Sequence, residues 1–242
     1  MESPKHLIKL NAISCRYPGG KTVLDQLDFS LSKGDRIGLV APNGSGKTTL
    51  LHAIMGLIKV SSGTIQIFGQ ERRHENDFTE VRRRIGLLFQ DADDQLFSPT
   101  VIEDVAFGPL NLGKTKQEAL DISRQTLDFL GLSGFEDRIT YKLSGGEKRL
   151  VSLATVLAMQ PEVLLLDEPS NALDSAMKSR LIRILQKLDL TTILISHEFD
   201  LLSRTTDQFY TMENGKIFKD EHEHVHTHQH AHYIGKQPHK HL

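Results

Sequence analysis

Short apolar runs alternate with stretches of helical period from one end of the 242-residue chain to the other. That alternation predicts an α/β fold with a mainly parallel sheet covered on both sides. The strand candidates are Leu7–Ile13, Arg36–Val40, Thr64–Phe68, Ile85–Phe89, Val163–Asp167 and Thr192–Ile195. The early runs alternate apolar and polar residues and suit a separate antiparallel layer. Val163–Leu166 and Ile193–Ile195 are continuously apolar and belong at the sheet centre. Between Gln90 and Pro161 strand candidates disappear, while Lys116–Leu130 and Glu147–Ala158 read as helices, so a helical subdomain over about 91–162 is expected inside the α/β unit. In Ser175–Leu188 the residues Met177, Leu181, Ile184, Leu185 and Leu188 share one stripe, which is core and carries no chemistry.

Composition narrows the class. Lys plus Arg number 29 against 31 Asp plus Glu, which removes a polybasic, non-specific nucleic-acid role. No apolar run approaches the roughly 20 residues that cross a bilayer, and the N-terminus has no signal-peptide core. Any membrane association must then pass through a partner. The single cysteine, Cys15, allows no internal disulfide and suits a reducing compartment; with no nearby His or acid it reads as a buried strand residue. From Lys219 the composition changes to a segment that holds eight of the twelve histidines. Residues 1–218 are therefore expected to form the folded unit, and 219–242 a His-rich tail too polar to fold alone.

The first chemistry lies after Ile37-Gly38-Leu39-Val40. Ala41-Pro42-Asn43-Gly44-Ser45-Gly46-Lys47-Thr48-Thr49 reads as strand, glycine-rich turn, then helix from near Thr48. Glycines there let backbone N–H groups point inward, and the helix N-terminus adds positive partial charge, so the segment is a phosphate-binding loop. Lys47 would reach the β and γ phosphates and Thr48 would ligate Mg²⁺. Ala41 replaces the first glycine of the pattern and must keep a negative φ or carry strain. A second element, Pro161-Glu162-Val163-Leu164-Leu165-Leu166-Asp167-Glu168, ends an apolar strand in two carboxylates. Strand alternation sends them to opposite sides: Asp167 suits the Mg²⁺ side and Glu168 suits the attacking water.

A third element is Leu143-Ser144-Gly145-Gly146-Glu147, where Ser144 and Glu147 are spaced as a capping box. Gly145 and Gly146 would open that helix N-terminus to an anion, a second phosphate device. Two devices in one subunit are redundant for one nucleotide. Two chains set head to tail would use both.

At this point the chain resembles the ABC-type ATPases, over about Leu7 to Lys219. The resemblance rests on APNGSGKTT, Gln90 after Leu88-Phe89, LSGGE, LLLDEP, Ser170-Asn171-Ala172-Leu173-Asp174 and Ser196-His197-Glu198. It implies a P-loop NTPase core with an antiparallel β layer and an inserted helical subdomain, hydrolysing ATP with Mg²⁺. It further implies that Gln90 links Mg²⁺ to the helical part, Asp174 sits at a dimer contact, His197 holds the γ-phosphate and Tyr17 stacks on adenine. Asn171 and Glu147 depart from the residues usual at their positions.

A narrower resemblance follows. Gln90-Asp91-Ala92-Asp93-Asp94-Gln95-Leu96-Phe97, then Thr100 to Pro109, is similar to the ATPase subunits of energy-coupling factor importers, which take up vitamins, cobalt and nickel. It implies a homodimer or a heterodimer with a paralogue, an integral membrane coupling subunit whose short helix carries arginine toward the acidic loop, a substrate-binding membrane subunit, and a place at the cytoplasmic face of the membrane. His222, His224, His226, His228, His230 and His232 recur at every second residue as candidate ligands for Ni²⁺ or Co²⁺, although imidazole also takes Zn²⁺ and Cu²⁺. Three rivals share parts of this pattern. A P-loop kinase has no use for LSGGE or Ser196-His197. A DNA-repair ATPase needs a long coiled coil for which 242 residues leave no space. A metal-storage protein explains the tail alone, and a vitamin cargo stays open.

Overall fold

The computed structural model describes residues 6–17, 19–20 and 22–220. The chain opens with β1 (Ile8–Arg16) and β2 (Thr22–Leu31), then β3 (Arg36–Val40), α1 (Lys47–Ile54), β4 (Ser62–Ile67) and β5 (Gln70–Glu71). It continues through α2 (Phe78–Arg84), β6 (Ile85–Leu88), α3 (Val101–Asn111), α4 (Lys116–Phe129), α5 (Gly145–Leu157) and β7 (Val163–Asp167). The last elements are α6 (Ser175–Lys187), β8 (Thr191–Ile195), α7 (Phe199–Thr205), β9 (Gln208–Glu213) and β10 (Lys216–Lys219).

Two sheets form. The smaller, in order β2-β1-β4-β5, is antiparallel throughout, as the alternating pattern of the early segments predicts. The larger, in order β10-β9-β3-β8-β7-β6, is parallel except for β10 at its edge. The continuous apolar runs occupy its interior because both faces are covered. On β7, Val163 and Leu165 join the core between the two sheets, while Leu164 and Leu166 join the core under α3, α5 and α6. All four are fully buried, and truncating any one of them to Ala would cost about 2–5 kcal/mol.

Sequence pattern misses β2, β5, β9, β10, α2, α3 and α7. In β2 the reason is a phase change. Gln26 at φ 46 and Ala12 at φ 47 interrupt the ladder, the pairing slips between Leu10 and Ile13 and again between Ile13 and Cys15, and the buried positions run Leu24, Leu27, Phe29, Leu31. A bulge of this kind hides a period of two. Side chains compensate: Asp28 Oδ1 accepts from Ala12 N at 2.8 Å and Ser14 Oγ from Gln26 N at 3.0 Å.

Between β6 and β7 the described residues are helical. α4 and α5 each start on a complete capping box, Thr115 with Glu118 and Ser144 with Glu147. Both follow the S/T-x-x-E pattern that satisfies two orphan donors at once. Cys15 is buried on β1, with burial pushing its thiol pKa up, in keeping with a structural role.

Candidate nucleotide-binding site

β3 delivers the chain to a loop from Ala41 to Gly46, and α1 begins at Lys47. Gly46 is the N-cap at φ 106, with no side-chain hydrogen bond capping the helix. Orphan N–H groups of the first turn therefore stay available to an anion. Glycine is required twice here: beyond its φ, a Cβ would lie 3.0 Å from both the Val23 carbonyl and Met212 Cε. Ala41 is not among the residues at positive φ, so the departure from the glycine pattern carries no backbone strain. Lys47 is 8% exposed and donates to the carbonyls of Ala41 at 2.6 Å and Pro42 at 3.0 Å. Burial lowers its pKa, and the charges of Glu168 and Asp167 oppose that.

The second wall comes from the carboxyl end of the large sheet. Thr48 Oγ1 donates to Asp167 Oδ2 at 2.7 Å, which joins helix α1 to the end of β7. The strand alternation that would separate Asp167 from Glu168 fails. β7 ends at Asp167, and Glu168 turns to φ 47, so both carboxylates border one cavity of about 560 Å³. Glu168 is 7% exposed, and burial raises its pKa against the opposing effects of His197 and Lys47. A raised carboxylate accepts a proton more readily near neutral pH. His197 Nε2 lies 3.2 Å from Glu168 Oε1 and 3.2 Å from Asn43 Oδ1, bridging the acid to the phosphate loop.

The same cavity is lined by Tyr17, Asn43, Gly44, Gly46, Lys47, Thr48, Thr49, Gln90 and Asn171. Tyr17 is partly exposed at its mouth, its hydroxyl 3.3 Å from Thr49 Oγ1. Gln90 also borders an adjoining cavity of about 360 Å³ with His52, Asp91 and Asp94. Ser45 falls elsewhere, on the far side of the loop beside Asp25 and Met212. The site suits a magnesium triphosphate: an uncapped helix N-terminus, a buried ammonium held only by carbonyls, and a hydroxyl–carboxylate pair at one point.

Ser144, Gly145, Gly146 and Asp174 do not line this cavity. Ser144 Oγ and its backbone N both donate to Glu147 Oε2 at 2.8 Å. The two glycines do different work. A Cβ on Gly146 would sit 2.4 Å from Met177 Sδ, so Gly146 is there for packing of α5 against α6. Only Gly145 is exposed, with Ala172 Cβ its one close neighbour at 3.5 Å from an added Cβ. Asp174 caps α6, accepting from Met177 N at 2.8 Å. The six alternating histidines His222 to His232 lie outside the described residues.

Pattern misses Arg149. It stands among charged residues at the start of α5, yet it is 3% exposed. Its guanidinium donates to the carbonyls of Phe89, Gln90, Asp167, Glu168 and Pro169, so one side chain ties α5 to the Gln90 loop and to the end of β7. Burial pulls its pKa down to about 10, which leaves it charged at neutral pH. A fixed cation on the Glu168 carbonyl helps hold that residue in its left-handed turn.

This fold and this site define a P-loop nucleoside triphosphatase. A profile described as ABC transporter matches residues 24–171, and the chain belongs to that family of ATPases. It is 50% identical over 97% of its length to a Nitratidesulfovibrio vulgaris protein assigned provisionally as an ABC transporter ATP-binding protein, of which it covers 86%. It is 40% identical to the energy-coupling factor transporter ATP-binding protein EcfA of Methanocaldococcus jannaschii, covering 89% of this chain and 78% of that one. It is 39% identical to the cobalt import ATP-binding protein CbiO of Rhodobacter capsulatus, covering 88% and 78%. Among solved structures, CbiO1 of Clostridium perfringens, part of a CbiONQ complex, aligns with TM-score 0.78 and 30% identity over 90% of this chain and 88% of that one. A dimeric ATP-binding cassette holding ADP and phosphate after hydrolysis aligns with TM-score 0.81 and 25% identity over 88% and 97%. Among the described residues no helix is long and apolar enough to cross a membrane.

Proposed function

We propose that this chain is the ATP-hydrolysing subunit of an energy-coupling factor importer whose cargo is cobalt or nickel. The observation that carries the ATPase part is the meeting of Lys47, Thr48, Asp167, Glu168 and His197 around one cavity. Likeness to EcfA and CbiO supports the importer part.

In this reading Lys47 and the N–H groups ahead of α1 hold the β and γ phosphates. Thr48, Asp167 and Gln90 hold Mg²⁺, which supplies charge neutralisation on the phosphates when bound. Tyr17 takes the adenine face. Glu168 orients the attacking water and accepts its proton, and His197 keeps Glu168 and Asn43 in place around the γ-phosphate. Ser144, Gly145 and Asp174 face a second chain, identical or paralogous, so that closure places each signature end on the other chain's nucleotide.

Membrane coupling falls to the acidic loop. Asp91 caps the single turn Ala92–Asp94, accepting from Asp93 N at 2.9 Å, and exposed Phe97 stacks edge-on against Phe107 with ring centres 4.8 Å apart. Carboxylates beside exposed aromatic rings suit a short amphipathic helix bearing arginine, supplied by an integral membrane coupling subunit. A separate substrate-binding membrane subunit would select the cargo, placing this chain at the cytoplasmic face. The alternating histidines from His222 to His232 would bind Ni²⁺ or Co²⁺ near that face.

Co-purification with the membrane subunits, followed by radiolabelled cobalt and nickel uptake, tests the proposal. ATP-dependent uptake that stops in the Glu168→Gln variant is expected. Uptake of a vitamin instead, or unaffected metal uptake in cells lacking this chain, would overturn the cargo assignment. Deleting residues 221–242 should leave ATP hydrolysis intact and remove divalent metal binding.

A further inference from the structure

We propose that Gln95 is a positioning residue for the magnesium–ATP site and acts through Gln90; this rests on the reading of Gln90 as a magnesium-side group. Gln95 closes the single turn Ala92–Asp94. Its Oε1 accepts from Phe89 N at 3.3 Å, and its Nε2 donates to the Ser152 carbonyl at 2.9 Å and to Thr155 Oγ1 at 2.8 Å. Both amide hydrogens and the carbonyl oxygen are engaged. The residue it fixes, Phe89, is the immediate neighbour of Gln90, and the element it fixes Phe89 to is the signature helix α5.

Two other links join this loop to α5, and neither does the same job. Lys148 Nζ meets Asp93 Oδ1 at 2.6 Å, but Asp93 is exposed and water screens the pair. Arg149 also fixes Phe89 to α5, through the Phe89 carbonyl, and grips the Gln90 carbonyl at 3.3 Å, but it holds the end of β7 as well, so it answers to the whole site. The Gln95 amide joins the loop and α5 alone. Ser152 is fully buried and Thr155 half-buried, which limits water from replacing the amide. Releasing the clip therefore loosens Gln90 in the cavity without touching the Gly46–Lys47 turn that receives phosphate.

The test uses the full chain and two measurements: affinity for a fluorescent ATP analogue with EDTA or with Mg²⁺, and the Mg²⁺ concentration giving half-maximal hydrolysis. Gln95→Leu keeps the bulk and removes every bond. It should leave metal-free affinity unchanged and raise the half-maximal Mg²⁺ concentration about 5-fold. Gln95→Glu still accepts from Phe89 N and can accept from the Thr155 hydroxyl, but it sets a carboxylate oxygen against the Ser152 carbonyl, so it should shift the Mg²⁺ response in the same direction as Gln95→Leu. Thr155→Val should shift the Mg²⁺ response alone but add nothing on top of Gln95→Leu.

A wild-type Mg²⁺ response in Gln95→Leu overturns the proposal. So does strict additivity with Thr155→Val, or an equal loss with and without metal, since that is the mark of general destabilisation. Gln90→Ala separates the two levels. If it alone changes the Mg²⁺ response, only the Gln95 proposal falls; if it changes nothing, the reading of Gln90 falls and takes this inference with it.

Discussion

Two glycine-rich turns open helices α1 and α5, and they treat the same orphan N–H groups in opposite ways. Ahead of α1 there is no capping side chain, and Gly46 at φ 106 leaves the first-turn donors to a ligand. Ahead of α5 the box is full: Ser144 Oγ accepts from Glu147 N, and Glu147 answers to the Ser144 backbone. Glu147 adds a negative charge where an anion would arrive, partly answered by Arg138 at 2.9 Å. The first turn is a finished receptor within one chain. The second is a stable helix start that offers an anion only its exposed Gly145 edge. Glycine content alone does not make a phosphate site; what the N–H groups already bond to decides it.

That contrast can be broken at graded points. The largest effect should come from Glu168→Gln, which keeps ATP bound beside the first turn but slows turnover by on the order of 10²–10⁴-fold in a single-turnover assay. The same variant carries a signed pH effect. The folded-state pKa of Glu168 is raised by burial, so the stability tied to its protonated form is present below the ordinary carboxylate range and lost as pH rises through the raised value. Glu168→Gln should then melt above wild type at neutral pH, with the gap closing at acidic pH in a thermal titration. Next, Lys47→Ala should weaken ATP binding by on the order of 10³-fold in titration calorimetry, because the buried ammonium is the charge of the first turn. Retained affinity would show that backbone donors alone suffice.

Arg149→Met probes the link between the turns. Five carbonyls would lose the guanidinium, that of Glu168 keeping a second donor in Asn171 N, and denaturant unfolding should show a loss of about 3 kcal/mol or more. The smallest effect belongs to Glu147→Gln. The amide preserves the box and removes the charge, so the ATP concentration for half-maximal hydrolysis should fall about 3-fold, and less at high salt. An unchanged value would mean that the charge on α5 is irrelevant to nucleotide closure.

What the sequence discloses follows from how local each feature is. Val163–Leu166 and Ile193–Ile195 are legible because a strand buried on both faces has nothing polar to show. The capping boxes and the phosphate loop are legible because spacing within one turn defines them. Gln95 and Arg149 are not, because each reaches partners 57 to 60 residues away, Arg149 others 18 to 20 away, and their polarity alone reads as solvated surface. The shared cavity of Asp167 and Glu168 is hidden for another reason: one residue at φ 47 cancels the strand period on which the expectation rests.

That single reversed dihedral also filters what can ever replace Glu168. A left-handed backbone penalises side chains with a Cβ by roughly 1–2 kcal/mol and penalises β-branched ones further. A saturation library at this site, screened for folded protein and not for hydrolysis, should therefore return Gly, Asn and Asp ahead of Val, Ile and Pro. Tolerance there is set by chirality before any chemistry is sampled.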